Sequence, residues 1–209
     1  MPVALIALAA VIATAQPNLA KLVLKPGAVG AGYIQLARSD GKGTAQRTLD
    51  LCGTSNYPSE SLRSDRLQVD YLKQNSALGL SNEVVTYKDG GAAKALREVA
   101  QHAQTCPNKP IAFEGQPPLV YRFTHITDAK LLRGYIALRI DISGKIKGKA
   151  VRAVRYAVYQ RFGNVLSGVY SYALGPGVTS AAQQAFVLHA AEMSAKALRG
   201  GSQAGGLPA

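Results

Sequence analysis

Between Leu119 and Leu174 the chain contains four strand-length segments in succession, with no helical segment between them. Leu119, Tyr121 and Phe123 share one face of the first. Ile136, Leu138, Ile140 and Ile142 share one face of the next segment. Ser143 to Lys149 is a basic hairpin loop, and Val151 to Phe162 is a long strand. Gly163-Asn164 is hairpin-turn chemistry, and Val165 to Leu174 returns. Period-two patterning places alternate side chains on opposite faces of a strand. Parallel neighbours need crossovers of a dozen or more residues, which this stretch lacks. The sheet is therefore expected to be largely antiparallel.

The preceding residues add two strands and a helix. Leu67, Val69 and Tyr71 alternate with Arg66, Gln68 and Asp70, and Glu83 to Tyr87 is rich in β-branched residues. Ala92, Leu96, Val99, Ala100 and Ala103 then recur at helical spacing to about Thr105, and Pro107 stops the helix. After Gly175-Pro176-Gly177, Thr179 or Ser180 can cap a last helix to about Leu198. The expected order is strand, strand, helix, four strands, helix. That order predicts an α+β domain with about six strands and both helices on one face. The expected division is 1–15 as a leader, 16–32 as an N-terminal segment broken by Pro and Gly, 33–199 as one domain, and 200–209 as a disordered Gly-rich tail.

Met1 to Ala15 carry no charge. As a helix they would reach about 22 Å, short of the ~30 Å hydrocarbon core. Ala13-Thr14-Ala15 has the small-x-small form of a cleavage site, so a signal peptide is expected. The n-region lacks Lys and Arg, and the alternative is a buried N-terminal helix. Export sets the expectation for the two cysteines, Cys52 and Cys106, which in an oxidising compartment pair. It also sets the expected location, the cell envelope or beyond, with membrane association peripheral at most and no nucleic-acid partner. The net charge of +12, with all 24 basic residues at Lys21 or beyond, favours an anionic partner. A solvated basic surface is the plainer reading of the same charge.

There is no Gly-x-Ser-x-Gly elbow, dinucleotide fingerprint or phosphate loop. His189 and Glu192 are three apart on a helix, and His102 and Cys106 four apart, but the first pair reads as two solvated side chains and the second loses its sulfur to a disulfide. Glu60, Asp65 and Glu83 are carboxylates that only a fold could gather. No catalytic residue, metal site or cofactor is expected. Binding is expected instead on a basic, aromatic sheet face. Tyr135 and Arg139 lie on the polar side of one strand, Arg155, Tyr159 and Arg161 share a face of another, and Tyr170 and Tyr172 share a face of a third. Guanidinium forks suit phosphate or carboxylate, and tyrosine rings suit sugars or acyl chains. The loop lysines Lys145, Lys147 and Lys149, with Arg152 beside them, form a second candidate surface for anionic lipid or polymer.

A set of short motifs runs through the chain: Leu51-Cys52-Gly53, Asn56-Tyr57-Pro58-Ser59-Glu60, Arg63, Ser81-Asn82-Glu83-Val84-Val85, Tyr87, Gly90-Gly91-Ala92, Cys106-Pro107, and Tyr159-Gln160-Arg161-Phe162-Gly163-Asn164-Val165-Leu166-Ser167. Together they resemble secreted or lipid-anchored actinobacterial proteins, and in particular the PknH-like extracellular sensor domains. The resemblance spans roughly 22 to 199. It implies a disulfide-stabilised antiparallel sheet with helices, and a cleft for an envelope ligand of unknown identity, sensed without catalysis. It transfers no binding residues. This chain has cysteines for one disulfide where the kinase sensor has two, and it carries no kinase.

Overall fold

A computed structural model describes residues 17–40, 48–53, 57–88, 90–112, 117–174 and 177–203. The expected leader, residues 1–15, lies outside the described residues. The strands are β1 (Tyr33–Asp40), β2 (Arg63–Lys73), β3 (Leu78–Tyr87), β4 (Leu119–Ile126), β5 (Ile136–Ile146), β6 (Lys149–Phe162) and β7 (Val165–Ala173). They form one seven-stranded sheet in the order β1-β2-β3-β7-β6-β5-β4. Every pairing in it is antiparallel. The long helices are α3 (Gly91–Thr105) and α4 (Ser180–Gln203); α1 (Leu19–Leu22) and α2 (Pro26–Val29) are single turns.

The α+β class and the antiparallel sheet are as expected. Two details differ. The sheet has seven strands because β1 joins at its edge. That strand has no clean alternation to read: its register slips between Gln35 and Ala37, and Ile34 and Leu36 are exposed. A bulge puts an extra residue on one strand and breaks the period of two.

The second difference concerns the helices, which lie on opposite faces rather than on one. Helix α4, with α1 and α2, covers a cluster containing Leu67, Val69, Tyr71, Leu80, Val84, Tyr156, Val158 and Val169. Helix α3 covers the other face through Val85, Tyr87, Leu138, Ala157, Tyr159 and Leu166. The cause is visible in adjacent residues of the central strands. Val84 and Val85, or Ala157 and Val158, are both apolar, both buried and on opposite faces. A sheet with two apolar faces needs two covers, since each fully buried aliphatic side chain stabilises by about 1.5–3 kcal/mol.

The segment 16–32, set apart on sequence, packs onto the α4 face. Leu19, Leu22, Val23, Leu24 and Val29 are all buried there. Polar pegs hold it. The Tyr71 hydroxyl donates to the Leu24 carbonyl. Asn82 accepts from the Leu24 N–H at 2.9 Å and donates to Ser167 and Gly168 across the sheet. Gln160 and Gln183 tie α4 and the 131–132 turn to the strands through buried amide bonds. Helix α4 continues to Gln203, past the expected stop near Leu198.

Cys52 and Cys106 are joined, as expected. The bond links the 3-10 turn at Leu51–Gly53 to the residue that caps α3. Glu98 of α3 is buried and accepts from the backbone and hydroxyl of Ser59, the latter at 2.5 Å. The helix is thus anchored at its middle by a hydrogen-bonded carboxylate and at its end by sulfur. Among the described residues no helix is long and apolar enough to cross a membrane.

Candidate functional site

Helix α3 covers only part of its face of the sheet. Beside it, against the 48–51 segment, a cleft of about 1030 Å³ opens over β2, β3, β7 and β6 and reaches Val178, Ser180 and Gln183 at the start of α4. Register explains its lining. In β2 the odd residues Leu67, Val69 and Tyr71 point to α4, so Arg66, Gln68 and Asp70 point into the cleft. Gln68 pairs with Glu83, and Asp70 with Ser81. Ser81 pairs with Tyr170, Tyr172 with Arg155, and Arg155 with Ile140. Cross-strand partners share a face, so these side chains converge.

The floor is a buried polar network. Arg66 Nε donates to Glu83 Oε1, and its Nη2 to Gln68 Oε1. Gln68 Nε2 donates to Ser81 Oγ at 2.8 Å. The Tyr170 hydroxyl donates to the other Glu83 oxygen at 3.2 Å. Glu83 is 3 % exposed. Burial pushes its carboxyl up to about 7, against the opposing pull of Arg66 and of its hydrogen bonds. It therefore changes charge near neutral pH. Tyr159 meets Tyr170 edge-on, ring centroids 5.6 Å apart. Burial raises both phenols well above their ordinary range.

Two glycines let the tyrosines lie down on the sheet. A Cβ at Gly79 would fall 2.2 Å from the Tyr172 ring, and one at Gly168 would fall 2.2 Å from the Tyr170 hydroxyl. Both rings occupy space that any other residue would fill. Tyr172 stays half-buried, with one part of its ring open to the cleft.

Of the seven residues expected to form a face, the structure brings together Arg155, Tyr159, Tyr170 and Tyr172. Arg161 lies on the same face, opposite Leu166, but outside the cleft, where it donates to the Gly163 carbonyl at 3.0 Å. Tyr135 and Arg139 are on the other side of the sheet. Arg139 pairs with Tyr156, which faces α4, and makes its ion pair with Asp141 at 2.8 Å. Tyr135 packs on the α4 core and accepts from the Asp128 N–H. Strand parity is relative: even and odd residues separate within one strand, but only register says which class meets which on the next.

Arg66, Gln68, Asp70, Asp50 and Ser81 were not expected in the site. A glycine inside each of two strands was the available signal, because such a glycine often marks a close approach. Of the three carboxylates noted in the sequence, Glu83 enters the cleft, while Glu60 pairs with Arg63 at 3.1 Å. Glu192 pairs with Lys130 at 3.1 Å rather than with His189. Among the described residues no three His, Cys, Asp or Glu side chains gather as a metal site. Once Glu83 is ionised the cleft's charges balance, with Arg66, Arg152 and Arg155 against Asp50, Asp70 and Glu83. The net charge of +12 is thus carried outside it.

Fold and cleft define an α+β domain, one antiparallel sheet between helices, with a polar and aromatic recess beside a disulfide-tethered helix. The extracellular domain of PknH from Mycobacterium tuberculosis has a similar fold, with a TM-score of 0.57 over 87% of this chain and 98% of that one. The two sequences are 14% identical, so the likeness is one of fold. No family model matches the chain, and no curated protein matches it.

Proposed function

We propose that this is an extracytoplasmic, sensor-like binding domain that holds its ligand in the α3-side cleft without transforming it. The observation that carries the reading is the recess itself: a preformed concavity with an aromatic floor and a few convergent polar groups, the usual form of a small-ligand site. The disulfide suits an oxidising compartment. The fold shared with a kinase's extracellular domain supports a sensing role, and the short-motif resemblance points the same way. Both Glu83 oxygens are already hydrogen-bonded within the protein, by Arg66 and Tyr170, which supports binding over chemistry.

The sequence pointed to an anionic or amphiphilic ligand. Balanced lining charge favours the amphiphilic half of that expectation. Tyr172 offers a flat apolar surface, and Asp70, Arg155 and Ser81 offer planar or hydroxyl partners around it. A sugar ring, with an apolar C–H face and a rim of hydroxyls, matches that combination. The test is a thermal-shift screen of the purified chain against envelope glycans and lipids. A glycan hit that is lost in Tyr172→Ala and weakened in Arg155→Ala supports the reading. Hits that survive both substitutions, or a screen with no shift, would remove it.

A further inference from the structure

The β5–β6 hairpin extends past the rest of the sheet. The last β4 partner of β5 is at Gly144, and the last β7 partner of β6 is at Arg155. The pairs Lys145–Ala150 and Ile146–Lys149 therefore stand as a two-stranded finger with no flanking strand among the described residues. Every residue from Lys145 to Ala150 is exposed. From Ser143 to Arg152 there are four basic residues and no acidic one. At the tip, Ile146 is 40% exposed, one of four large hydrophobic side chains so placed among the described residues. The turn itself is unusual. Lys147 and Gly148 both have positive φ, 48° and 77°. Two-residue turns of that kind favour Asn, Asp or Gly at the first position, since a β-carbon is crowded there. A lysine is held at the tip against the backbone's preference.

We infer that this finger is a membrane-docking element, which seats Ile146 at the headgroup–acyl boundary of an anionic bilayer while Lys145, Lys147, Lys149 and Arg152 pair with its headgroups. Charge alone would suit any polyanion. The exposed isoleucine favours an anionic bilayer over a soluble polyanion, because a polyanion has no apolar interior to bury it. Each basic side chain close to an anionic leaflet strengthens binding about fivefold, and burying the exposed part of an isoleucine adds about tenfold. Arg152 belongs to both the finger and the wall of the cleft, so docking would bring the cleft mouth close to the membrane surface.

The chain has no tryptophan, so Ile146→Trp makes a fluorescent reporter that only the tip can move. The apolar N-terminal fifteen residues could adsorb to vesicles by themselves, and a reporter at 146 is blind to that. Full-length chain carrying this substitution is titrated with vesicles of equal phosphatidylglycerol and phosphatidylcholine, and with phosphatidylcholine alone. The expected result is a blue shift on the anionic vesicles, reversed by salt. Read by the same reporter, the triple variant Lys145→Gln, Lys147→Gln, Lys149→Gln should need about a hundredfold more anionic vesicle for the blue shift. Lys196→Gln, an exposed lysine on α4 away from the finger, should leave the shift unchanged. All four side chains are solvated, so the melting temperature should not move. An unshifted emission spectrum, or undiminished binding by the triple variant, overturns the inference. So does tip binding to soluble polyphosphate with no blue shift on vesicles, which assigns the finger to polymer instead.

Discussion

Glu83→Gln tests the electrostatics of the cleft floor directly. In the unfolded chain this carboxyl titrates at its ordinary 4.5, and in the folded chain at about 7. Between those values the native state holds a proton that the unfolded state has released. Linkage then makes folding stability fall as pH rises. The contribution from this group is full below about 4.5 and is lost by the time pH passes about 7. At about 1.4 kcal/mol per pH unit, the window corresponds to about 3 kcal/mol as an upper bound. Glutamine keeps the shape and the acceptor for Arg66, and the Tyr170 hydroxyl can turn from donor to acceptor. It carries no proton to lose. Urea denaturation of both proteins at half-unit steps of pH isolates Glu83, because every other titration cancels in the difference. The difference should swing by up to about 3 kcal/mol against the wild type as pH rises across the window. Parallel curves would refute the argument. A swing of opposite sign would show that Arg66 outweighs burial and holds the carboxylate charged.

Reducing the Cys52–Cys106 bond, whose partners are 54 residues apart, should lower stability by about 4 kcal/mol in the chain-entropy account, read from denaturation with and without reductant. Gly79→Ala puts a methyl group where the Tyr172 ring lies, and should cost about 1–3 kcal/mol; pairing it with Tyr172→Ala should recover part of that loss, and purely additive costs would refute the contact.

The sequence alone determined most of the architecture. Four strand patterns without crossovers between Leu119 and Leu174 leave an antiparallel sheet as the solution, and two cysteines allow one bridge. These are local or combinatorial constraints, so they can be read from the order of residues. Three features were decided by tertiary structure. Edge strand β1 was hidden by its bulge and its exposed Ile34 and Leu36. The placing of α3 and α4 on opposite faces depended on which strands became central and needed two covers. The cleft formed only when register set Arg155 and Tyr172 beside Arg66 and Glu83 while turning Tyr135 and Arg139 to the far side. Alternation within a strand is a local property of the chain, whereas the alignment of one strand against the next is a choice made by the packed sheet as a whole.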